Sequence, residues 1–242
     1  MILNIDYILL MIFGLILLII MYINKEKLKI EKFLFPLFYL VMYRTKLGLA
    51  LMDKYANKYP KIFRYFGYLS VIVGFAGMIF FFWQILDSTF RIIADPTSTA
   101  NGAKLLLPGI QLPGLPRLSF FHWIITIFVL AIVHEFSHGV LARLYNVKVK
   151  SSGFAVLGIL LPIFPAAFVE PDEKELSKKS RKAQLSVLAV GSFSNLLMAA
   201  VFFLIIQFVL SPISSSLAES NGIIINSLYA KYPSFKSGIN LG

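Results

Sequence analysis

Apolar residues occur along this chain in long runs, and polar and basic residues collect between the runs. Four runs reach the roughly 20 residues that a helix needs to span a bilayer. They cover residues 5–23, 66–86, about 118–141 and 184–210. The pattern predicts an all-α polytopic membrane protein with about four transmembrane helices.

Two shorter apolar stretches, residues 33–43 and 153–169, are broken by proline or glycine. The first is too short to cross, and we expect it to lie at the membrane interface with an amphipathic segment beyond it. If the second crossed, the basic segment 174–182 would lie on the opposite side from the other basic loops, against the positive-inside rule. We therefore predict a membrane re-entrant hairpin or loop at 153–169, whose backbone must be sheltered from lipid.

Composition agrees with the membrane assignment, because 58% of the residues are apolar and only 14% are charged. The net charge of +11 comes from lysines and arginines that flank the apolar runs. We interpret this charge as contact with the lipid bilayer and not with nucleic acid. The loops 24–65 and 142–183 are then cytoplasmic and the C-terminal tail lies outside, in an integral protein of a prokaryotic cell membrane. The chain has no cysteine, which excludes disulfides and thiolate metal ligands.

The third apolar run contains the sequence HEFSH at residues 134–138. His134 and His138 are four residues apart, so they project from one face of a helix, and Glu135 lies beside the first. This spacing is typical of zinc hydrolases, in which two imidazoles bind Zn²⁺ and the glutamate takes a proton from the attacking water. The motif predicts His134 and His138 as metal ligands and Glu135 as the catalytic base, on the cytoplasmic side of the membrane.

The same five residues also occur on solvated helices without any function. Ionisable residues inside a membrane span are rare and usually functional, which favours the metal site here. A metal transporter is a further alternative, but no second set of intramembrane ligands marks an ion path. His122 lies twelve residues earlier beside Trp123, and this position is typical of a membrane-interface residue.

Several segments together resemble the site-2 protease family of intramembrane zinc metalloproteases. HEFSHGVLAR (134–143) is similar to its zinc helix, PAAFVEPDEKEL (165–176) to the segment after its re-entrant loop, and AVGSFSNLLMA (189–199) to its Gly-x-x-x-Asn helix. LPGIQLPGLP (107–116) resembles the archaeal and eukaryote-like branch. The resemblance implies Zn²⁺ as cofactor and cleavage of transmembrane segments in other membrane proteins. Gly191 and Asn195 of the third segment are candidates for substrate binding or helix packing.

The resemblance also implies a third zinc ligand, an aspartate in a downstream Asp-Gly motif, and these 242 residues contain no Asp-Gly. Residues 222–242 resemble the opening of the family's PDZ-like domain. We therefore expect an N-terminal portion of a longer protease that is inactive alone, with a membrane anchor and basic interfacial segment at 1–65, a protease core at 66–211 and the start of a PDZ-like domain at 212–242. The alternative is a non-catalytic binding or regulatory membrane protein that retains the protease fold.

Overall fold

The computed structural model describes residues 5–34, 38–94, 118–159 and 161–217. Within these ranges four helices are long and apolar enough to cross a membrane. Three of them are α1 (Ile5–Ile23), α3 (Pro60–Ala94) and α4 (Phe120–Leu144). The fourth begins as α6 (Arg181–Ile205), passes through a π-helical segment (Ile206–Leu210) and ends as α7 (Ser211–Leu217). By length and composition, the prediction of a polytopic membrane protein is confirmed.

The long helices carry apolar side chains on their outer surfaces. On α3, for example, Phe81, Phe82 and Trp83 are 66%, 64% and 67% exposed. A continuous apolar surface of this kind is unfavourable in water and is typical of a surface that lies in lipid.

The prediction that the chain is all-α is wrong, because the described residues also contain one four-stranded antiparallel sheet. Its strands follow in the order β1 (Leu28–Leu34), β2 (Phe38–Thr45), β3 (Val149–Ile159) and β4 (Leu161–Pro171). A short 3₁₀ helix (Lys25–Lys27) precedes the sheet, and α2 (Leu49–Lys58) and α5 (Glu173–Ser177) follow its two hairpins. Strand pairing satisfies the backbone polar groups of apolar segments that are too short or too rich in proline to form spanning helices.

The central pairing of the sheet joins two distant loops of the chain. In the β2–β3 register, Val41 lies opposite Val156 and Met42 opposite Ala155. The hairpin predicted at 153–169 is confirmed as β3 and β4, whereas residues 33–43 contribute to β1 and β2. The depth of either hairpin in the membrane stays a prediction.

A small core surrounds the C-terminal half of α4. Val140 and Leu141 of α4 are fully buried and belong to one cluster with Met52 of α2 and Val187 of α6. At Gly139, a Cβ atom would overlap the side chain of Met52, so α2 packs directly on the α4 backbone. This packing fixes the part of α4 that carries the predicted metal site.

The other end of α4 is held by α1. Asp6 is buried, and its Oδ1 accepts a hydrogen bond of 3.0 Å from the backbone N–H of Phe120, the first residue of α4. Ser119, at the N-cap position, makes no side-chain capping bond. Asp6 therefore provides the carboxylate that a helix N-terminus favours, although it comes from another helix.

Residues 1–197 form one compact unit, which contains the sheet and the predicted site. The second unit, 198–242, is helical over its described residues, 198–217. Within the predicted start of a PDZ-like domain, residues 212–217 belong to α7, and residues 218–242 lie outside the described part of the chain. The predicted boundaries at 65 and 211 stay predictions.

Candidate metal and catalytic site

The two histidines of HEFSH lie on neighbouring turns of α4 and face the same way. Their ring centroids are 4.8 Å apart, with an angle of 69° between the ring planes. Both side chains are half-buried. His134 lies ten residues before the end of α4, which places it about 15 Å along the helix from that end. The structure therefore brings His134 and His138 together within the apolar part of the chain.

Helix α6 faces this pair with Val187, Gly191 and Asn195, which are spaced four residues apart and so lie on one face. His138 Nδ1 is 2.5 Å from the backbone oxygen of Val187. Because a carbonyl oxygen only accepts hydrogen bonds, His138 must carry a proton on Nδ1. In the neutral imidazole, Nε2 then keeps its lone pair, which is the state that binds a metal.

Gly191 lies where the two imidazoles approach α6. A Cβ atom at this position would overlap Nε2 of both His134 and His138. Both Nε2 atoms therefore converge on the one position of the stripe that has no side chain. Two convergent ring nitrogens fit part of the ligand set of a zinc ion, for which imidazole is a common ligand.

Asn195 contacts the other ring nitrogen of His134. Its amide Nδ2 is 3.2 Å from His134 Nδ1, while its Oδ1 is buried and has no hydrogen-bond partner within the described part of the chain. Asn195 thus lies beside His134, and its predicted roles in substrate binding or helix packing stay predictions.

Glu135 lies about 100° around α4 from His134 and contacts the sheet. Its Oε2 accepts a hydrogen bond of 3.0 Å from the backbone N–H of Val169 in β4. Beside it lies an apolar cavity of about 280 Å³. Its lining comes from the loop before α2 and from α2, α4, β3 and β4, and includes Leu51, Ile132, Glu135, Phe136, Phe154 and Val169. The carboxylate therefore lies at the edge of an apolar space large enough for a side chain.

No group of three histidine or acidic side chains that could hold a metal occurs among the described residues. Glu170 is 3.3 Å from Arg44 and accepts a hydrogen bond of 2.6 Å from Ser151. Asp172 pairs with Lys150 at 3.0 Å and also caps α5. The hydrogen bond from Lys150 holds the pKa of Asp172 below its usual value. Both acidic residues near the end of β4 are thus engaged in other contacts.

Comparison with protein-family models gives a match to peptidase family M50 over residues 122–238. This range includes His134, Glu135 and His138, together with Gly191 and Asn195. Residues 122–238 are thus similar to peptidase family M50, the site-2 protease family. The M50 family is one of zinc metalloproteases of the site-2 protease type.

Two relatives are similar to part of this chain. The Methanocaldococcus jannaschii protein MJ0971, whose name assigns no function, is 34% identical over 160 residues, which cover 64% of this chain and 39% of that protein. CA_C1796 of Clostridium acetobutylicum, named as a candidate zinc metalloprotease, is 31% identical over 151 residues, or 52% of this chain and 41% of that protein. The chain thus spans about two fifths of the length of these relatives. No solved structure matches.

Sequence analysis missed two groups that contact the M50 motif residues, the N–H of Val169 and the carbonyl of Val187. Both are backbone groups, so no residue type marks them in the sequence.

His122, which the sequence analysis did not include among the metal ligands, lies in the first turn of α4. Its Nδ1 is 2.6 Å from Ser119 Oγ.

Proposed function

We propose that this protein is an intramembrane zinc metalloprotease that hydrolyses peptide bonds in transmembrane segments of other membrane proteins. The observation that carries the proposal is the convergence of Nε2 of His134 and His138 on Gly191, with the Glu135 carboxylate on the adjacent residue. The M50 match over the same residues supports it.

In this proposal His134 and His138 bind Zn²⁺ through Nε2, and a further ligand completes the set of three that catalytic zinc sites use. When bound, zinc supplies Lewis acidity, which activates water and polarises the scissile carbonyl. Glu135 acts as general base, takes a proton from the attacking water and delivers it to the leaving amide nitrogen. The N–H of Val169 holds one carboxylate oxygen, which leaves Oε1 for proton transfer.

The chemistry around Glu135 favours an apolar substrate. The neighbouring cavity is lined almost entirely by apolar side chains, and the helices that surround the site expose apolar surface. A transmembrane segment would supply apolar side chains for the cavity and for the exposed apolar surface of the helices. Access to water must then come from the cytoplasmic side, which is the side that the basic loops favour.

A non-catalytic membrane protein that retains the protease fold is the second candidate. The observation that favours it is that the described residues contain no group of three metal-ligating side chains. Such a protein would bind transmembrane partners and would not depend on Glu135 for its function.

The test is zinc content and cleavage of a helical membrane substrate by the full-length protein in detergent. We expect about one Zn²⁺ per chain, lost in His134→Ala and in His138→Ala. Glu135→Gln should retain zinc and lose cleavage, because it removes the base and leaves the ligands.

His122→Ala is the matched control, because it removes a histidine from the same helix and should leave zinc binding and cleavage unchanged. Zinc retained after both ligand substitutions would refute the metal assignment. Cleavage that survives Glu135→Gln would refute the role of the base.

A further inference from the structure

We propose that Asn195 is a positioning residue for His134, whose side-chain oxygen accepts a hydrogen bond from His134 Nδ1–H and so keeps Nε2 available for metal. The inference rests on the proposed function, in which His134 is a zinc ligand.

His138 shows the arrangement that a metal-binding imidazole needs. Its Nδ1–H donates to the carbonyl of Val187, and this bond fixes both the ring orientation and the position of the proton. Its Nε2 faces Gly191. A ligand that shares a metal with His138 should have its proton on the equivalent nitrogen, which for His134 is also Nδ1.

The group next to His134 Nδ1 is the amide of Asn195, at 3.2 Å. Only the oxygen of an amide accepts a hydrogen bond, and the two ends of an asparagine side chain are assigned from their hydrogen-bond partners. With Nδ2 towards His134, the imidazole proton would have to lie on Nε2, the atom needed for metal. In that orientation Oδ1 is also buried and unpaired within the described residues. A half-turn of the amide would bring Oδ1 to the Nδ1–H, and the lone pair of Nε2, which lies beside Gly191, would then be available to a metal.

The two acceptors belong to one face of α6. Val187 and Asn195 lie four residues before and after Gly191, so each imidazole Nδ1 meets one polar group of α6, the Val187 carbonyl or the Asn195 amide. The glycine between them leaves space for the Nε2 atoms. An amide is uncharged, so it serves as an acceptor inside the membrane without the cost of a second carboxylate.

The experiment measures zinc affinity of the full-length protein in detergent by competition with a chromophoric chelator. Asn195→Leu keeps the side-chain size but removes the acceptor, and we expect a loss of about 10- to 100-fold in affinity. Asn195→Ala also lacks the acceptor and should show the same loss. Asn195→Asp keeps an oxygen at this position and should retain at least the wild-type affinity.

Ser186→Ala is the control, since Ser186 is buried on α6 against Gly67 of α3. It should bind zinc as the wild type does. Equal zinc affinities of the wild type, Asn195→Leu and Asn195→Ala would overturn the inference. An Asn195→Asp variant that binds zinc as weakly as Asn195→Leu would also overturn it, because the acceptor oxygen would then not determine the affinity. A wild-type protein that binds no zinc would overturn the proposed function itself. This outcome is distinguishable from failure of the Asn195 inference, because it is seen in the wild type without any Asn195 variant.

Discussion

At the scale of single residues, the site depends on one helix and one strand that contact two neighbouring turns of α4. His134 and His138 contact α6 at Val187, Gly191 and Asn195. Glu135 contacts β4 at Val169. The two proposed metal ligands and the proposed base are therefore held by different elements. Substitutions on α6 should change metal binding, whereas substitutions that affect Glu135 should change proton transfer.

Gly191→Ala is expected to lower zinc affinity by at least about tenfold, because the added methyl group would overlap both Nε2 atoms and metal sites tolerate ligand shifts of only about 0.2 Å. Chelator competition measures the change. The matched control is Gly77→Ala on α3, where a Cβ atom would meet nothing within 4 Å. Zinc affinity that is equal in the two variants would contradict the close approach of the imidazoles to α6.

The sequence predicted the residue types at this site and could not predict their partners. His134, Glu135 and His138 stand out because ionisable residues are rare in an apolar span. Gly191 and Asn195 came from family resemblance, and the structure adds the atoms that they meet. The partner of Glu135 lies 34 positions away and that of His138 lies 49 positions away. Contacts through backbone atoms at such separations leave no pattern in a single sequence.

At the scale of elements, the helices were predictable and the sheet was not. The first predicted span, 5–23, coincides with α1, and the run at 118–141 corresponds to α4 (Phe120–Leu144). Hydropathy suffices for these helices because each satisfies its own backbone hydrogen bonds. A strand needs a partner, and Val41 pairs with Val156, more than 100 residues away. Periodicity within the segment 33–43 carries no information about that partner.

The contact between α1 and α4 gives a prediction at the same scale. Asp6→Ala removes the acceptor for the Phe120 N–H and should cost about 1 kcal/mol, the usual effect of losing a helix cap. For a chain of this size, that corresponds to a decrease of about 2–4 °C in the midpoint of thermal unfolding in detergent. Asp6→Asn retains an acceptor oxygen and should fall between the wild type and Asp6→Ala. An unchanged midpoint in Asp6→Ala would show that this bond does not stabilise α4.

At the scale of the whole molecule, the sheet restricts the topology. Strands β2 and β3 pair directly, so the segment between α1 and α3 and the segment after α4 lie side by side. We expect both segments on the same side of the membrane, which requires that α3 and α4 both cross it. In the β3–β4 hairpin Val149 pairs with Pro171, so both ends of the hairpin lie side by side, and its re-entry into the membrane stays a prediction.

Cysteine labelling in intact cells tests this arrangement. Because the chain has no cysteine, single substitutions report one position each. Lys54→Cys and Ser180→Cys should react only with membrane-permeant reagents, whereas Ser98→Cys and Ser234→Cys, which lie outside the described residues, should also react with impermeant ones. Labelling of Ser180→Cys by an impermeant reagent would show that residues 153–169 cross the membrane.

The last prediction concerns catalysis by the 242 residues alone. Among the residues that the structure describes, the two imidazoles supply fewer than the three protein ligands of a catalytic zinc site. Glu170 and Asp172 are held by Arg44 and Lys150. We therefore expect this chain to bind zinc weakly and to cleave a helical membrane substrate far more slowly than an extended form with a further apolar helix that carries an Asp-Gly motif. Both forms are compared in detergent with excess zinc, and Glu135→Gln in each form reports any activity that does not come from the site. Chelator-sensitive cleavage by the 242-residue chain at the rate of the extended form, lost on Glu135→Gln, would contradict the prediction. It would require a third ligand within these residues, and Glu170→Gln and Asp172→Asn would test the two acidic residues near the end of β4 for that role.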